Sequence, residues 1–144
     1  MRALLDVNVL IALLDGAHVE HASARRWLAA NIDHGWASCP ITQNGCVRIL
    51  SQPSYPNTVP TALALQRLAG ACSTSMHGFW ADDLSLLDGE TLNPGLVYGA
   101  NQLTDLYLLA LAVRHGGCFV TFDRKIPFAA VRGARPEHLQ LLRT

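Results

Sequence analysis

The chain has 144 residues, half of them hydrophobic and only 15% charged. That is the length of one domain with enough apolar material for a packed core, and it excludes a disordered or tail-like protein. The formal net charge is zero, so the chain lacks the basic excess that marks proteins binding nucleic acid by bulk charge.

Every basic residue except Lys125 is an arginine, whose planar fork can grip two phosphate oxygens at once. They cluster at Arg25–Arg26 and at Arg124–Lys125, with Arg132 and Arg135 following; a solvated surface is the ordinary reading of either cluster. Cys39, Cys46, Cys72 and Cys118 form no C-x-x-C pair and sit among apolar or small neighbours, the setting of buried, reduced thiols. The amino terminus lacks the pattern of a signal peptide, and no apolar run reaches membrane-spanning length. The expected compartment is the cytoplasm, with no membrane partner.

Residues 2–5 are a short apolar run stopped by Asp6, the pattern of a buried strand with an acid at its carboxyl end. Residues 8–14 (NVLIALL) are too apolar for a surface segment and predict a helix packed on that strand. Residues 18–31 set Val19, Ala22, Ala24, Trp27, Leu28 and Ala30 between charges, as an amphipathic helix does. Residues 35–39 (GWASC) predict a second strand, followed by Pro40 and a helix over about 41–50. Prolines 53, 56 and 60 mark a loop, and 61–72 are helical by period. Residues 76–84 (MHGFWADDL) read as a strand entering an acidic turn, and 88–99 as irregular chain. Residues 104–115 (TDLYLLALAVRH) are apolar nearly all round and predict a central buried helix. Thr104 is its expected N-cap, Asp105 lies in its first turn, and Gly116–Gly117 ends it. Residues 118–122 (CFVTF) form a strand again closed by an acid, Asp123. A short helix and a last strand near 139–142 complete an α/β domain over 1–144 with a mostly parallel sheet.

Open parallel sheets bind ligands beyond the carboxyl ends of their strands. Asp6 and Asp123 stand at two such ends, and Asp105 opens the helix that leads into the strand ending in Asp123. Carboxylates gathered at one edge repel each other, and a hard divalent cation relieves the repulsion. Oxygen-only ligation favours Mg²⁺ or Mn²⁺ over zinc, and such ions activate water and clamp phosphodiesters for hydrolysis. Each acid also has a structural reading: Asp6 as a helix cap, Asp105 as a partner of its helix dipole, Asp123 as a turn cap.

The segments LLDVNVLIALL, LTDLYLLALAVRHGG and TFDRKI resemble, in order and spacing, the three signature blocks of PIN domains. They are most similar to the actinobacterial type of VapC toxin of toxin–antitoxin pairs, as are HGFWADDLSL and NGCVRIL. The resemblance implies an α/β/α sandwich with Asp6, Asp105 and Asp123 as metal-binding, catalytic carboxylates. It implies Thr121, and Asn8 beside it, as residues that position metal or water. The implied activity is endonucleolytic cleavage of RNA by metal-activated water, with Mg²⁺ or Mn²⁺ as cofactor. A VapB-like antitoxin is the implied partner, and homodimers are common in the family. Many PIN domains carry a Glu on the helix after the second strand. Here Gln43, Asn44 and Gly45 stand in that region; Asn44 can reach metal through its amide oxygen or a water, with one negative charge fewer.

Other signals point less far. His18 and His21 have helix spacing for zinc but no further ligand nearby, and His77 and His115 read as polar residues at element ends. Asp82–Asp83 read as a turn, since adjacent side chains do not easily both point inward. Trp27, Trp36, Phe79 and Trp80 read first as packing residues, with stacking on RNA bases the functional alternative. Arg124 and Lys125 follow Asp123 directly, a position suited to RNA phosphate. No phosphate-binding Gly loop and no G-x-S-x-G elbow occur. The missing Glu motivates a different reading, a PIN-like module that binds RNA or a partner without cutting. Asp6-x-Asn8 also faintly resembles the start of aspartyl-nucleophile phosphatases.

Overall fold

Side-chain alternation along the first strand decides the layering, because successive residues of a strand point to opposite faces. In this computed structural model, which describes residues 1–143, strand β1 (Ala3–Leu5) sends Leu4 into one apolar cluster and Ala3 and Leu5 into another. Strand β4 (Cys118–Thr121) repeats the division, with Phe119 on the Leu4 side and Cys118 and Val120 on the other. A strand buried on both faces needs helices on both faces.

The helices are α1 (Val7–Leu14), α2 (His21–Asn31), α3 (Pro40–Ser51), α4 (Thr61–Ala71) and α5 (Leu103–Arg114). Residues of α1 to α4 pack into the cluster containing Leu5 and Val120, and α5 with the irregular chain around it packs against Leu4 and Phe119. With β2 (Trp36–Ser38), β3 (His77–Phe79) and β5 (Leu139–Leu141), the sheet runs in the order β3–β2–β1–β4–β5. This is the expected α/β/α sandwich. Every strand pair is parallel, so the sheet is wholly rather than mostly parallel.

The boundaries shift in two places for identifiable reasons. The second helix starts at His21, not at residue 18, because the preceding backbone is taken up by turns: the His18 N–H donates to the Asp15 carbonyl (3.0 Å) and the Glu20 N–H to His18 Nδ1 (3.0 Å). Thr104 is not the N-cap of α5. The chain enters that helix through a 3₁₀ turn at Ala100–Gln102, so Gln102 takes the cap position, with no side-chain hydrogen bond, and Leu103 is already helical. The other end is as expected: Gly116 adopts φ +67° just beyond α5, where a side chain would be strained. No helix among the described residues is long and apolar enough to cross a membrane.

Two features place the site. Chain order reverses between β1 and β4, whose register pairs Leu5 with Val120, so Asp6 and Thr121 emerge side by side at the switch point of the sheet. Helix α3 also lies close on α1. A Cβ at Gly45 would stand 2.8 Å from Val7 Cγ2, so glycine there lets the exposed face of α3 stand over the end of β1.

Candidate active site

Asp6 is 7% exposed and does two things at once. It is the N-cap of α1, with Oδ1 accepting from the Val7 N–H at 2.7 Å. Its Oδ2 accepts from the Thr121 hydroxyl at 2.6 Å. The capping reading of Asp6 is therefore true, and it fixes the carboxylate at the sheet edge.

Thr121, fully buried at the end of β4, is the hub. Its oxygen also accepts from the Asp123 N–H at 3.0 Å and from Asn8 Nδ2 at 3.4 Å, while Asn8 Oδ1 accepts from the Phe122 N–H at 3.4 Å. Asn8 thus ties the first turn of α1 to the bend after β4. Asp123 Oδ1 accepts from the Lys125 N–H at 2.9 Å, which shapes the turn that presents the exposed Arg124 and Lys125. Asp105, half-buried in the first turn of α5, completes the group.

These acids feel each other. Burial pushes Asp6 above the ordinary carboxylate range, and the charge of Asp123 adds to that, against the hydrogen bonds from Thr121 and Val7. Asp105 is pushed up to about 7, first by burial, then by the charge of Asp6, then by a hydrogen bond with Asp123 and its charge. Among the described residues no cationic side chain offsets either shift. Carboxyls in this state are short of positive charge, and perturbed acids in a cleft are a mark of functional sites.

The donor set fits a hard cation: carboxylate, hydroxyl and amide oxygens, with no thiolate or imidazole among them. Among the described residues, however, no three His, Cys, Asp or Glu side chains stand together as a ready cage. Mg²⁺ does not need one, since it is commonly held by one or two carboxylates and keeps several waters.

Asn44 lies on the exposed face of α3 and lines a pocket of about 440 Å³ together with Val7 and Thr104, the neighbours of Asp6 and Asp105. Gln43 turns away, its Nε2 donating to Ser38 Oγ at 2.9 Å. Asp82 and Asp83 point apart. Asp83 stands 3.5 Å from both Arg114 and His115, whereas Asp82 lines the same pocket as Asn44. Neither residue lies in a turn, since the chain after β3 runs without regular structure until a turn at Leu86; Asp83 is exposed, as a surface reading expects, whereas Asp82 is half-buried.

The remaining candidates are structural. His21 Nδ1 hydrogen-bonds to the Ala12 carbonyl at 2.7 Å, His77 Nε2 to Ser38 Oγ at 2.7 Å, and His115 stacks on Trp80 with ring centroids 4.4 Å apart. Trp36 and Trp80 are buried and Trp27 is half-buried against the core; Phe79 alone of the four aromatics is exposed. All four cysteines are free, Cys72 half-buried and the others buried, and burial pushes the Cys46 thiol up to about 12.

Comparison with known proteins agrees with this fold. The family model described as PIN domain matches residues 3–134. The chain is 53% identical over 142 residues to Ribonuclease VapC44 of Mycobacterium tuberculosis, covering 99% of this chain and all of that protein. It is 45% identical to Ribonuclease VapC39 of the same organism, over 92% of this chain and 96% of that one. Two solved structures share the fold. VapBC2 from Rickettsia felis, bound to a DNA fragment from its promoter, aligns at TM-score 0.59 and 15% identity over 99% of this chain and all of the matched one. Mycobacterium tuberculosis VapC20, a toxin that cleaves the sarcin–ricin loop, aligns at TM-score 0.60 and 14% identity over 93% and 99%. By matched family and by near-full-length identity, the chain belongs to the PIN-domain family, among the VapC ribonucleases.

Proposed function

We propose that this chain is a metal-dependent endoribonuclease, the toxin of a VapBC-like toxin–antitoxin pair, acting in the cytoplasm as one PIN domain over residues 1–144. One observation carries the reading: Thr121 hydrogen-bonds Asp6 at the sheet's switch point, and the charges of Asp6 and Asp123 help push Asp105 up to about 7. The names of the VapC relatives supply the substrate class, RNA.

In this reading Asp6, Asp105 and Asp123 hold Mg²⁺ or Mn²⁺, with Asn8 or Asn44 able to contribute an amide oxygen. When bound, the ion supplies an activated water and neutralises charge on the phosphodiester. The residues of the chain do the rest. Thr121 and the Val7 N–H fix both oxygens of Asp6. The turn built on Asp123 presents Arg124 and Lys125 to a flanking RNA phosphate, where arginine binds two oxygens together. The partner is a VapB-like antitoxin, as in the Rickettsia felis complex. Exposed Leu87, Tyr98 and Leu103 offer apolar surface for a homodimer.

The test is incubation of total RNA with the purified protein in Mg²⁺, Mn²⁺ or EDTA, beside Asp6→Ala. Discrete fragments that require metal and disappear in the variant are expected. Two observations favour the second reading, an RNA- or partner-binding module without catalysis: Asn44 stands where an acid is usual, and no ready three-ligand cage exists among the described residues. That reading holds if folded, antitoxin-free protein binds RNA but cuts none with either metal.

A further inference from the structure

Asp6 and Asp123 follow β1 and β4, at the middle of the sheet's carboxyl edge. Arg124 and Lys125 also follow β4, on one side of that point. On its other side lies β2, and the helix that follows β2, α3, carries Asn44 and Arg48. Both are exposed, and residues four apart on a helix share one face. That face borders two depressions. The smaller, about 440 Å³, is lined by Asn44 and Arg48 together with Val7 and Thr104, the chain neighbours of Asp6 and Asp105. The larger, about 860 Å³, runs between α3 and α4, with Val47, Leu65 and Leu68 in its walls. Asn44 and Arg48 line both, so open surface continues from the acidic site across α3 into the groove.

Charge singles out Arg48 on this surface. Among the described residues no carboxylate stands within ion-pair distance of its guanidinium, and no Asp or Glu lines the larger groove. The smaller pocket has one acid, Asp82, half-buried beside the buried Cys39 thiol. Arg48 does not act on Asp6 or Asp105 either, since no cation lowers their raised pKa values. It is close enough to share a pocket with the neighbours of those acids, and too far from them to serve as their countercharge. A solvent-exposed cation so placed is open to an anion that lies beside the acidic site rather than on it. An RNA strand carries such an anion at every nucleotide. Asn44, between the acids and Arg48, favours that path, because an amide does not repel a phosphate as a carboxylate does.

We propose that Arg48 holds an RNA phosphate on the α3 side of the scissile one, so that the substrate strand crosses the sheet edge from Arg124 and Lys125, over the acids, to α3; this rests on the ribonuclease reading above. The planar guanidinium binds two phosphate oxygens together. Phosphate contacts of this kind set the register of a strand and carry no sequence information. Held on both sides of the acids, the scissile phosphate is kept in place over them without any contact to a base, and the groove beyond Arg48 leaves room for the strand to continue.

Cleavage of total RNA locates a cut, and the test uses short single-stranded RNAs built around it. One series extends past the cut on both sides, and two others stop just beyond it on one side or the other. Arg48→Ala is expected to raise KM by about 10-fold for the fully extended RNAs, the scale of a charge-assisted hydrogen bond, with kcat near the wild-type value. It is expected to leave KM unchanged in one truncated series, the one that lacks the phosphate Arg48 holds. The slope of log KM against log salt is expected to fall by about 0.7, the share of one single-strand phosphate. Arg48→Lys keeps the charge and is expected to keep that slope. Arg48 stands in the last turn of α3, where an arginine also complements the helix dipole; that role alone alters melting temperature and neither KM nor the salt slope. An unchanged KM and slope in folded Arg48→Ala, or an equal loss for every RNA length, overturns the proposal. So does weakened inhibition by a VapB-like antitoxin with RNA cleavage unaltered, which assigns this face to the antitoxin. If wild type cuts no RNA, the nuclease reading fails separately. Fluorescence anisotropy of a labelled oligouridylate then decides the contact, which stands if Arg48→Ala weakens Kd and lowers its salt slope, and falls if neither changes.

Discussion

Helix α1 carries a buried aspartate at each end, and the two are held in opposite ways. Asp15, 8% exposed at the C-cap, accepts hydrogen bonds from the Tyr55 hydroxyl, from Asn57 Nδ2 at 3.0 Å and from the Ala17 N–H at 3.0 Å. Burial pushes its pKa up, but these donors outweigh burial and hold it below the ordinary value. Asp6, 7% exposed at the N-cap, receives two donors and shares its edge with Asp123 and Asp105; its pKa is raised. Similar side-chain exposure therefore does not make equal roles, because Asp15 lies shallow beneath the surface with several donors whereas Asp6 lies deep at the sheet edge, where burial dominates. The satisfied acid fastens the loop after α3 to the end of α1, whereas the unsatisfied one keeps a shortage of positive charge that a cation can relieve.

The sharpest way to break this contrast is to neutralise one acid of each kind. Asp105→Asn is expected to lower RNA cleavage by at least ~100-fold, the scale for loss of a preorganised charged group, while raising the melting temperature of the metal-free protein. Calorimetric melting beside a cleavage assay checks both halves; a fall in metal-free stability counts against the contrast. Asp15→Ala is expected to do the reverse. It leaves a hydroxyl, an amide and a backbone N–H without their acceptor and costs about 2–3 kcal/mol of stability in urea unfolding, while Mg²⁺ affinity of the folded protein stays at the wild-type value.

A smaller effect is expected at the α1–α3 contact. Gly45→Ala places a methyl against the stiff Val7 side chain, at 2.8 Å from Cγ2, and overpacking of this kind costs about 1–3 kcal/mol, partly offset by alanine's better helix propensity. Urea unfolding measures the loss, and an unchanged midpoint means that α3 moves freely over α1.

The smallest and most diagnostic effect is in pH. Folded Asp105 is pushed up to about 7, above the ordinary 3.8. Its contribution to stability is full below the lower value and is lost as pH rises through the higher one. Asp15 titrates below 3.8 when folded, so its contribution is present above 3.8 and is lost as pH falls through the folded value. In EDTA, Asp105→Asn is expected to flatten the decline in stability between about pH 4 and 7, and Asp15→Asn to flatten the loss at acid pH. Unfolding curves across pH for the two variants separate these slopes.

What the sequence made legible was local. An apolar run closed by an acid marks Asp6 and Asp123, and a buried helix with an acid in its first turn marks Asp105, because each pattern lies within a few consecutive residues. The hub role of Thr121 needs the register of β1 with β4; family resemblance marks the residue only as one that positions metal or water. The role of Asp15 has no local signature, since its partners Tyr55 and Asn57 lie about forty residues onward. Asp82 reads with Asp83 as a turn because nothing nearby in sequence says that Asp82 shares a pocket with Asn44 and Arg48 of α3. Missing the start of α5 had the same origin: the 3₁₀ turn before it has no strong residue signature.

The most direct test of the uncompensated acidic site is the proton balance of metal binding. Titration of the wild-type protein with Mg²⁺ or Mn²⁺ near pH 6.5, by calorimetry in two buffers of different ionisation enthalpy, is expected to release close to one proton per site, since a bound cation must displace the proton that Asp105 holds. Asp105→Asn is expected to release almost none. Binding without proton release in wild type, or no binding by either ion, would contradict the central claim.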